Sequence, residues 1–421
     1  MRAPDLLRSA TITAAAFGTY FAMYAFRKPF TAASYAGEAQ LGVDPKTLLV
    51  AAQVLGYTVS KFVGIAVIAR MRREHRAAAL LGLIAVAESA LLGFAVTPAP
   101  WNAVFLFLNG LPLGMVFGLV LGFLEGRRHT EAMTAGLCAS FILADGATKS
   151  LGAWLLAVGV SEAWMPATAG ALFALPLAAC VMVLRRAPPP DPQDVALRSE
   201  RVPMQQGERR AFFRRHATGL VLLVTGYLLL TVLRSLRGDF APELLRQLGD
   251  PVEPSVFTSS EAIVALGVLL ATGATVAIRD NRRAFRAAIG LAVAGFLGCL
   301  VTLALQRTGA LSGFTCLVAL GLGLYIPYVV VHTTVFERLV AMTRDRGNIG
   351  YLMYLADAFG YLGYVAVMFG RGALAGSQRL VDFFFVVAWI VAVAGVVCFG
   401  LAGAWFLRRP RVAAASQPEP A

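Results

Sequence analysis

The sequence predicts an all-α membrane protein of about twelve transmembrane helices in two six-helix halves. Three observations predict it: recurring apolar runs, basic residues confined to alternate loops, and an internal repeat. Of 421 residues, 58% are hydrophobic and 14% charged, and mean hydropathy is +0.70. A soluble domain carries about 25% charged residues, so that class is excluded.

The apolar runs are roughly 17 to 25 residues long, enough to cross about 30 Å of hydrocarbon as a helix. In chain order they are 9–28, 47–69, 77–96, 102–124, 134–158 and 163–184, then 217–237, 256–278, 285–305, 311–336, 347–370 and 382–407. The first follows Arg2 and Arg8 and resembles a signal peptide. No A-x-A site follows it, however, and Arg27-Lys28-Pro29 interrupts its exit, so it is kept as a span. Between the sixth and seventh runs, 185–216 is polar, contains Pro188-Pro189-Pro190-Asp191-Pro192 and reads as a flexible linker. The expected organisation is a six-helix bundle over 1–184, a cytoplasmic linker over 185–216, a second bundle over 217–407 and a disordered tail over 408–421.

The net charge of +13 does not point to nucleic acid, because the charge is sorted by loop. Of 37 Lys and Arg, 26 fall in the termini and alternate loops, seven fall in the opposite loops (Lys28, Lys46, Arg237, Arg246, Arg307, Arg371, Arg379), and four lie within spans. By the positive-inside rule both termini are cytoplasmic, and the expected location is a bacterial-type inner membrane. Five cysteines lie in apolar runs without a CxxC pair, so neither disulfide nor zinc site is expected. No cofactor, metal site or enzymatic nucleophile is indicated.

The repeat is seen at two places. Gly18-Thr19-Tyr20 leads to Phe26-Arg27 as Thr225-Gly226-Tyr227 leads to Leu233-Arg234, with Tyr and Arg seven apart in both. Glu125 precedes Asp145, and Glu337 precedes Asp357, by the same 20 residues. Each aspartate ends a Leu-Ala-Asp triplet. Two six-helix halves in parallel repeat are the pattern of the major facilitator architecture.

An ionisable side chain at membrane depth costs at least about 2.5 kcal/mol, so each such residue needs a partner, a water-filled cavity or a role. Arg27 and Arg234 are expected at similar depth, one from each half, facing a central cavity where two guanidiniums can grip an anion. Tyr20, Tyr24 and Arg27 follow i, i+4, i+7 spacing and predict one shared helical face. Lys61 has Tyr57 four residues before it. Asp145 and Lys149, four apart, are expected to pair. Asp357 is expected to face the cavity or pair with a base on another span, with Tyr354, Tyr361 and Tyr364 on its face. Glu261 fits a cavity role, Glu88 a structural one, and His332 stands alone on the tenth span.

With these residues placed, the chain resembles the organophosphate:phosphate antiporters of the major facilitator superfamily, the glycerol-3-phosphate and hexose-phosphate transporters. Tyr24-Ala25-Phe26-Arg27-Lys28 is similar to that family's Arg-Lys in span one, and Thr231-Val232-Leu233-Arg234 to its arginine in span seven. Ser60-Lys61, Asn109-Gly110 with Gly114-Met115, Tyr325 with Pro327, Gly360-Tyr361-Leu362-Gly363 and Glu261 resemble features of spans two, four, ten, eleven and eight. The sequence departs from it at Asp145, where the family places a histidine, and in the loop after span two, which lacks the acidic residue of the G-x-x-x-D-R signature.

The resemblance implies substrate binding by Arg27 and Arg234, with Lys61, Lys28, Tyr24 and Tyr57 beside them. The coupling or charge-pair residues are then Asp145, Lys149, Asp357 and Glu261, and the cavity lining Tyr325, Tyr354 and Tyr361. The expected function is secondary active transport of a small anionic solute (organophosphate, phosphate or another organic anion) by a monomer in the bilayer, with phosphate or protons as the counter-substrate. A proton-coupled symporter or exporter of another solute, and a non-transporting sensor of the same fold, are the alternatives.

Overall fold

The computed structural model describes residues 3–38, 43–124, 127, 130–189, 206–276, 278, 280–343, 349–374 and 379–408. Twelve long helices occupy the twelve predicted spans. The first six are α1 (Ala3–Met23), α2 (Pro45–Arg70), α3 (Arg73–Val96), α4 (Asn102–Leu124), α5 (Thr130–Ala157) and α6 (Met165–Arg186). They are followed by α7 (Gln206–Asp239), α8 (Pro254–Val276), α9 (Asn281–Arg307), α10 (Gly313–Val330), α11 (Ile349–Leu374) and α12 (Leu380–Arg408). Over their described residues, nine of these are long and apolar enough to cross a membrane, and α1, α5 and α11 pack among them. Leu175, Leu270, Val301 and Ile390 each leave more than half their surface on the outside of the bundle. In lipid such a surface is the solvated face.

Helix packing carries the repeat. In the first half α2 packs on α4, α3 on α4, α1 on α5 and α6, and α3 on α6; in the second α8 packs on α10, α9 on α10, α7 on α11 and α12, and α9 on α12. Each of these pairs recurs with both helix numbers raised by six. The halves meet along α2–α11 and α5–α8, contacts that the same operation exchanges. The architecture is therefore the major facilitator fold, two six-helix bundles related by a parallel pseudo-twofold axis.

Small residues set the tightest crossings, as is usual where lipid gives helices no hydrophobic drive to associate. A Cβ on Gly110 of α4 would stand 2.1 Å from the Gln53 carbonyl of α2. Between the halves, a Cβ on Gly146 of α5 would stand 2.2 Å from the Phe257 carbonyl of α8. Side chains cap the ends: the Asp44 carboxylate accepts from the Thr47 N–H at 2.9 Å at the start of α2, and Asp280 from the Arg283 N–H at 2.7 Å at the start of α9.

Three boundaries differ from the sequence reading. The first span is α-helical only to Met23 and passes into a 3-10 turn, Tyr24–Phe26. The helix α7 begins at Gln206, inside the predicted linker, of which 190–205 lie outside the described residues. The tenth span is divided into α10, a π turn (Val331–Val335) and a helix (Phe336–Thr343). The tail 409–421 also lies outside the described residues.

Candidate functional site

The site begins with the break in α1. Pro29 has no N–H, and its ring opposes the carbonyl four residues back, so an α-helix cannot run through it. The chain instead forms 3-10 turns over Tyr24–Phe26 and Pro29–Ala32, with the Arg27 and Lys28 N–H groups both bonded to the Tyr24 carbonyl. Carbonyls freed by the break cannot be left bare at membrane depth. Asn109 Nδ2 donates to the Phe26 carbonyl at 3.1 Å, and Gln53 Nε2 to the Arg27 carbonyl at 3.1 Å and to Asn109 Oδ1 at 2.8 Å. Two amides thus fix the backbone that presents Arg27 and Lys28.

The buried Arg27 guanidinium lies over the ring of Tyr57, its Cζ 4.0 Å from the centroid, with Tyr361 at 5.7 Å and Tyr24 at 5.8 Å. Arg234, on unbroken α7, lies over Tyr328 at 4.5 Å and Tyr325 at 5.6 Å and donates to the Tyr361 hydroxyl at 3.2 Å. Repeat-equivalent arginines thus meet at one phenol of α11. Ring faces stabilise a desolvated cation by about 2 kcal/mol, less than a carboxylate partner would. Among the described residues neither arginine has a carboxylate within ion-pair distance, and the Nε of each is buried without a hydrogen-bond partner.

The other central charges are neutralised. Lys61 donates to Asp357 at 2.6 Å, Tyr227 also donates to Asp357, and His332 Nε2 lies 3.7 Å from that carboxylate. His332 stands on the π turn, a helix irregularity common at functional sites. Asp145 pairs with Lys149 on its own helix and with Lys28 at 3.3 Å. Lys28 also binds Asp239, to which Tyr364 donates at 3.0 Å. Arg237 pairs with Glu261 at 2.8 Å, and Lys46 with Glu243 at 2.7 Å.

The pairs Lys28–Asp239 and Lys46–Glu243 join the halves at the bundle end opposite the start of α1 and the end of α12. Arg371–Asp44, at 3.5 Å, joins them there as well. Ser150 Oγ adds a bond to Thr258 Oγ1 at 2.7 Å. This distal end is clasped. Below the clasp is a narrow cavity of about 10 Å³, room for about one water, with ten lining residues, seven of them aromatic and the others Lys61, His332 and Asp357. The two guanidiniums lie one layer behind its wall, Arg27 against Tyr57 and Arg234 against Tyr328.

The structure brings Arg27, Arg234, Tyr24, Tyr57, Tyr325 and Tyr361 together. Lys61, held by Asp357, joins them at the cavity wall, its Nζ 5.2 Å from the Tyr57 ring centroid. Two expected residues lie apart: Lys28 is held by Asp239 and Asp145 in the clasp, and Glu261 is held by Arg237 away from the cavity. The Tyr354 side chain lies outside the described residues. Lys28, Lys46 and Arg237, read from sequence as loop charges, are buried. Missed altogether were Asp239, Glu243, Tyr328 and Gln53, together with the contacts of His332, while Asn109 was singled out by resemblance alone, without its role at the break. Of these, Tyr328 and His332 carried a local signal, because they stand four apart beside Pro327 on an apolar helix.

A model of a family described as "Family of unknown function (DUF5690)" matches residues 29–409. The chain belongs to that family. No curated protein matches this DUF5690 chain. Among solved structures it is similar to a D-xylose-proton symporter, at 15% identity and a TM-score of 0.61 over 96% of this chain and 98% of that one. It is also similar to an auto-inhibited POT family peptide transporter, at 14% identity and a TM-score of 0.60 over 98% of both chains. The xylose transporter XylE from E. coli, in a partially occluded inward open conformation, matches at 14% identity and a TM-score of 0.59 over 96% of this chain and 98% of that one. At such identities the likeness is one of fold.

Proposed function

We propose that this DUF5690 chain is a secondary active transporter that moves a small anionic solute by alternating access. One observation carries the reading: Arg27 and Arg234, equivalent in the two halves, are buried, lack a carboxylate among the described residues and share Tyr361. A buried charge without a counter-ion is costly, and an anionic ligand that reaches both arginines supplies the missing partner. Planar guanidiniums suit phosphate and carboxylate, which supports an organic phosphate, phosphate or a related anion as cargo. The sequence resemblance to organophosphate:phosphate antiporters supports the same class. With basic loops and termini on the cytoplasmic side of an inner membrane, the clasped distal end faces outward and the cavity serves the inward-facing state. Rocking of the halves about the arginines, with the clasp broken, then exposes the site to the other side.

Proteoliposomes loaded with unlabelled phosphate test this through uptake of radiolabelled phosphate and glycerol phosphate. Uptake of an anion is expected, with a loss of at least about tenfold in Arg27→Gln or Arg234→Gln. Uptake unchanged in both variants overturns the roles assigned to the arginines.

A second reading, proton-coupled transport, is favoured by Asp357 and His332 facing the cavity beside Lys61. Collapse of the pH gradient by a protonophore separates the two, because phosphate exchange persists and proton-driven uptake stops.

A further inference from the structure

We infer that Lys61 and Asp357 form a second gate, on the far side of the arginines from the clasp, so that the site is closed from both sides and opens inward only when this pair parts. The inference rests on the alternating-access reading above and adds the residues that close its inner side. The order of side chains along three helices carries it.

From start to end, α7 presents Tyr227, Arg234 and Asp239, and α11, which runs the same way, presents Asp357, Tyr361 and Tyr364. The antiparallel α2 presents Lys46, Tyr57 and Lys61. Their contacts fall in three layers. In the clasp, Asp239 takes Lys28 and Tyr364, and Lys46 takes Glu243. In the middle, Tyr361 accepts from Arg234 and meets Tyr57 edge-to-face, with centroids 5.1 Å apart, while Arg27 lies over Tyr57. In the inner layer, Asp357 takes Lys61 and Tyr227. With a rise of about 1.5 Å per residue, Tyr227 stands about 10 Å from Arg234 on one side, and Asp239 about 7 Å from it on the other. The arginines are therefore enclosed between two charged layers, each of which joins one half to the other.

Space and the number of ties then set the order of opening. The cavity beside the inner layer takes about one water, and Lys61 and Asp357 both form its wall, so a solute enters only when α2 and α11 separate there. Phe62 and Phe359 meet edge-to-face at 6.4 Å on the same seam. Among the described residues three ion pairs between the halves hold the clasp, Lys28–Asp239, Lys46–Glu243 and Arg371–Asp44, whereas Lys61–Asp357 alone holds the inner layer. The layer with fewer ties parts first. By the orientation proposed above, that layer faces the cytoplasm.

The test is labelling of a cysteine placed in the cavity wall by Phe117→Cys, with a membrane-impermeant maleimide added to the cytoplasmic face of inside-out vesicles. Above the background of the native cysteines, labelling is expected to be slow with the pair intact. It is expected to be at least about tenfold faster with Lys61→Gln and Asp357→Asn combined, which removes both charges at once. A cysteine at Ser150 in the clasp, labelled from the outer face of right-side-out vesicles, is expected not to speed up, whereas misfolding would raise both rates. An unchanged rate at Phe117→Cys, or an equal rise at both positions, overturns the gate. Anion uptake still lost in Arg27→Gln would then leave the transport reading standing. A rise at Phe117→Cys alone, in a protein that moves no anion, leaves the gate standing and overturns the anion reading.

Discussion

Lys61 donates to Asp357 at 2.6 Å across 296 residues of sequence, tying α2 of one half to α11 of the other at the cavity wall. Asp357 and Asp145 are repeat-equivalent, and each is neutralised by lysine. Asp145 takes Lys149 and Lys28 from its own half, whereas Asp357 draws Lys61 from the opposite half. The repeat is thus symmetric in fold and asymmetric in its charge pairing.

Breaking that pair on one side leaves a buried lysine with its counter-ion gone. Asp357→Leu is expected to destabilise the protein by about 3 kcal/mol or more, whereas Lys61→Met combined with the same Asp357→Leu recovers most of the loss. Thermal unfolding in detergent, arranged as a double-mutant cycle, measures this. Additive single effects would mean that the two side chains do not interact.

Removing an amide cap exposes a carbonyl at membrane depth. Asn109→Leu frees the carbonyl of Phe26, and the expected cost is about 1 to 3 kcal/mol; the Ala87 carbonyl lies inside α3 and keeps its helix bond. Because the freed carbonyl precedes Arg27, ligand affinity is expected to fall with stability. A variant as stable as the parent would show that the break in α1 is held by other contacts.

The clasp can be trapped chemically. Ser150 and Thr258 approach within 2.7 Å between their hydroxyls, so cysteines at both positions are expected to form a disulfide under mild oxidation. Adding Lys28→Met, which removes the bridge to Asp239 and Asp145, is expected to reduce the cross-linked fraction. Equal cross-linking in both backgrounds, read on a non-reducing gel, rules out a role for Lys28 in holding the distal end shut.

Steric change at the α5–α8 crossing acts on the same end without touching charge. Gly146→Val places side-chain atoms where the Phe257 carbonyl stands 2.2 Å from even a Cβ, so the halves must part. Overpacking of this kind costs about 1 to 3 kcal/mol. Maleimide labelling of a cysteine at Ser150 is expected to speed up, and an unchanged rate would place the closure elsewhere.

Much of the fold was legible because lipid imposes span length, loop charge and repeat on the sequence itself. Arg27, Arg234 and the Asp145–Lys149 pair were legible for the same reason, since an ionisable residue inside an apolar run is conspicuous. Lys28, Lys46, Arg237, Asp239 and Glu243 were not, because hydropathy places a span's end wherever charges begin, and these charges continue inside, Lys28–Asp239 and Lys46–Glu243 as cross-half pairs and Arg237 with Glu261 of its own half. Tyr24-Ala25-Phe26 reads as apolar helix, and only Pro29, acting backward, opens it. The pairing of Lys61 with Asp357 has no local signature, since it depends on how two bundles dock.

Tyr361 belongs to neither arginine alone, holding Arg234 through its hydroxyl and standing 5.7 Å beneath Arg27 through its ring. A displacement of α11 therefore alters a contact of both cations at once while Tyr57 and Tyr328 stay over them, so the movement of one helix is felt in both halves of the repeat.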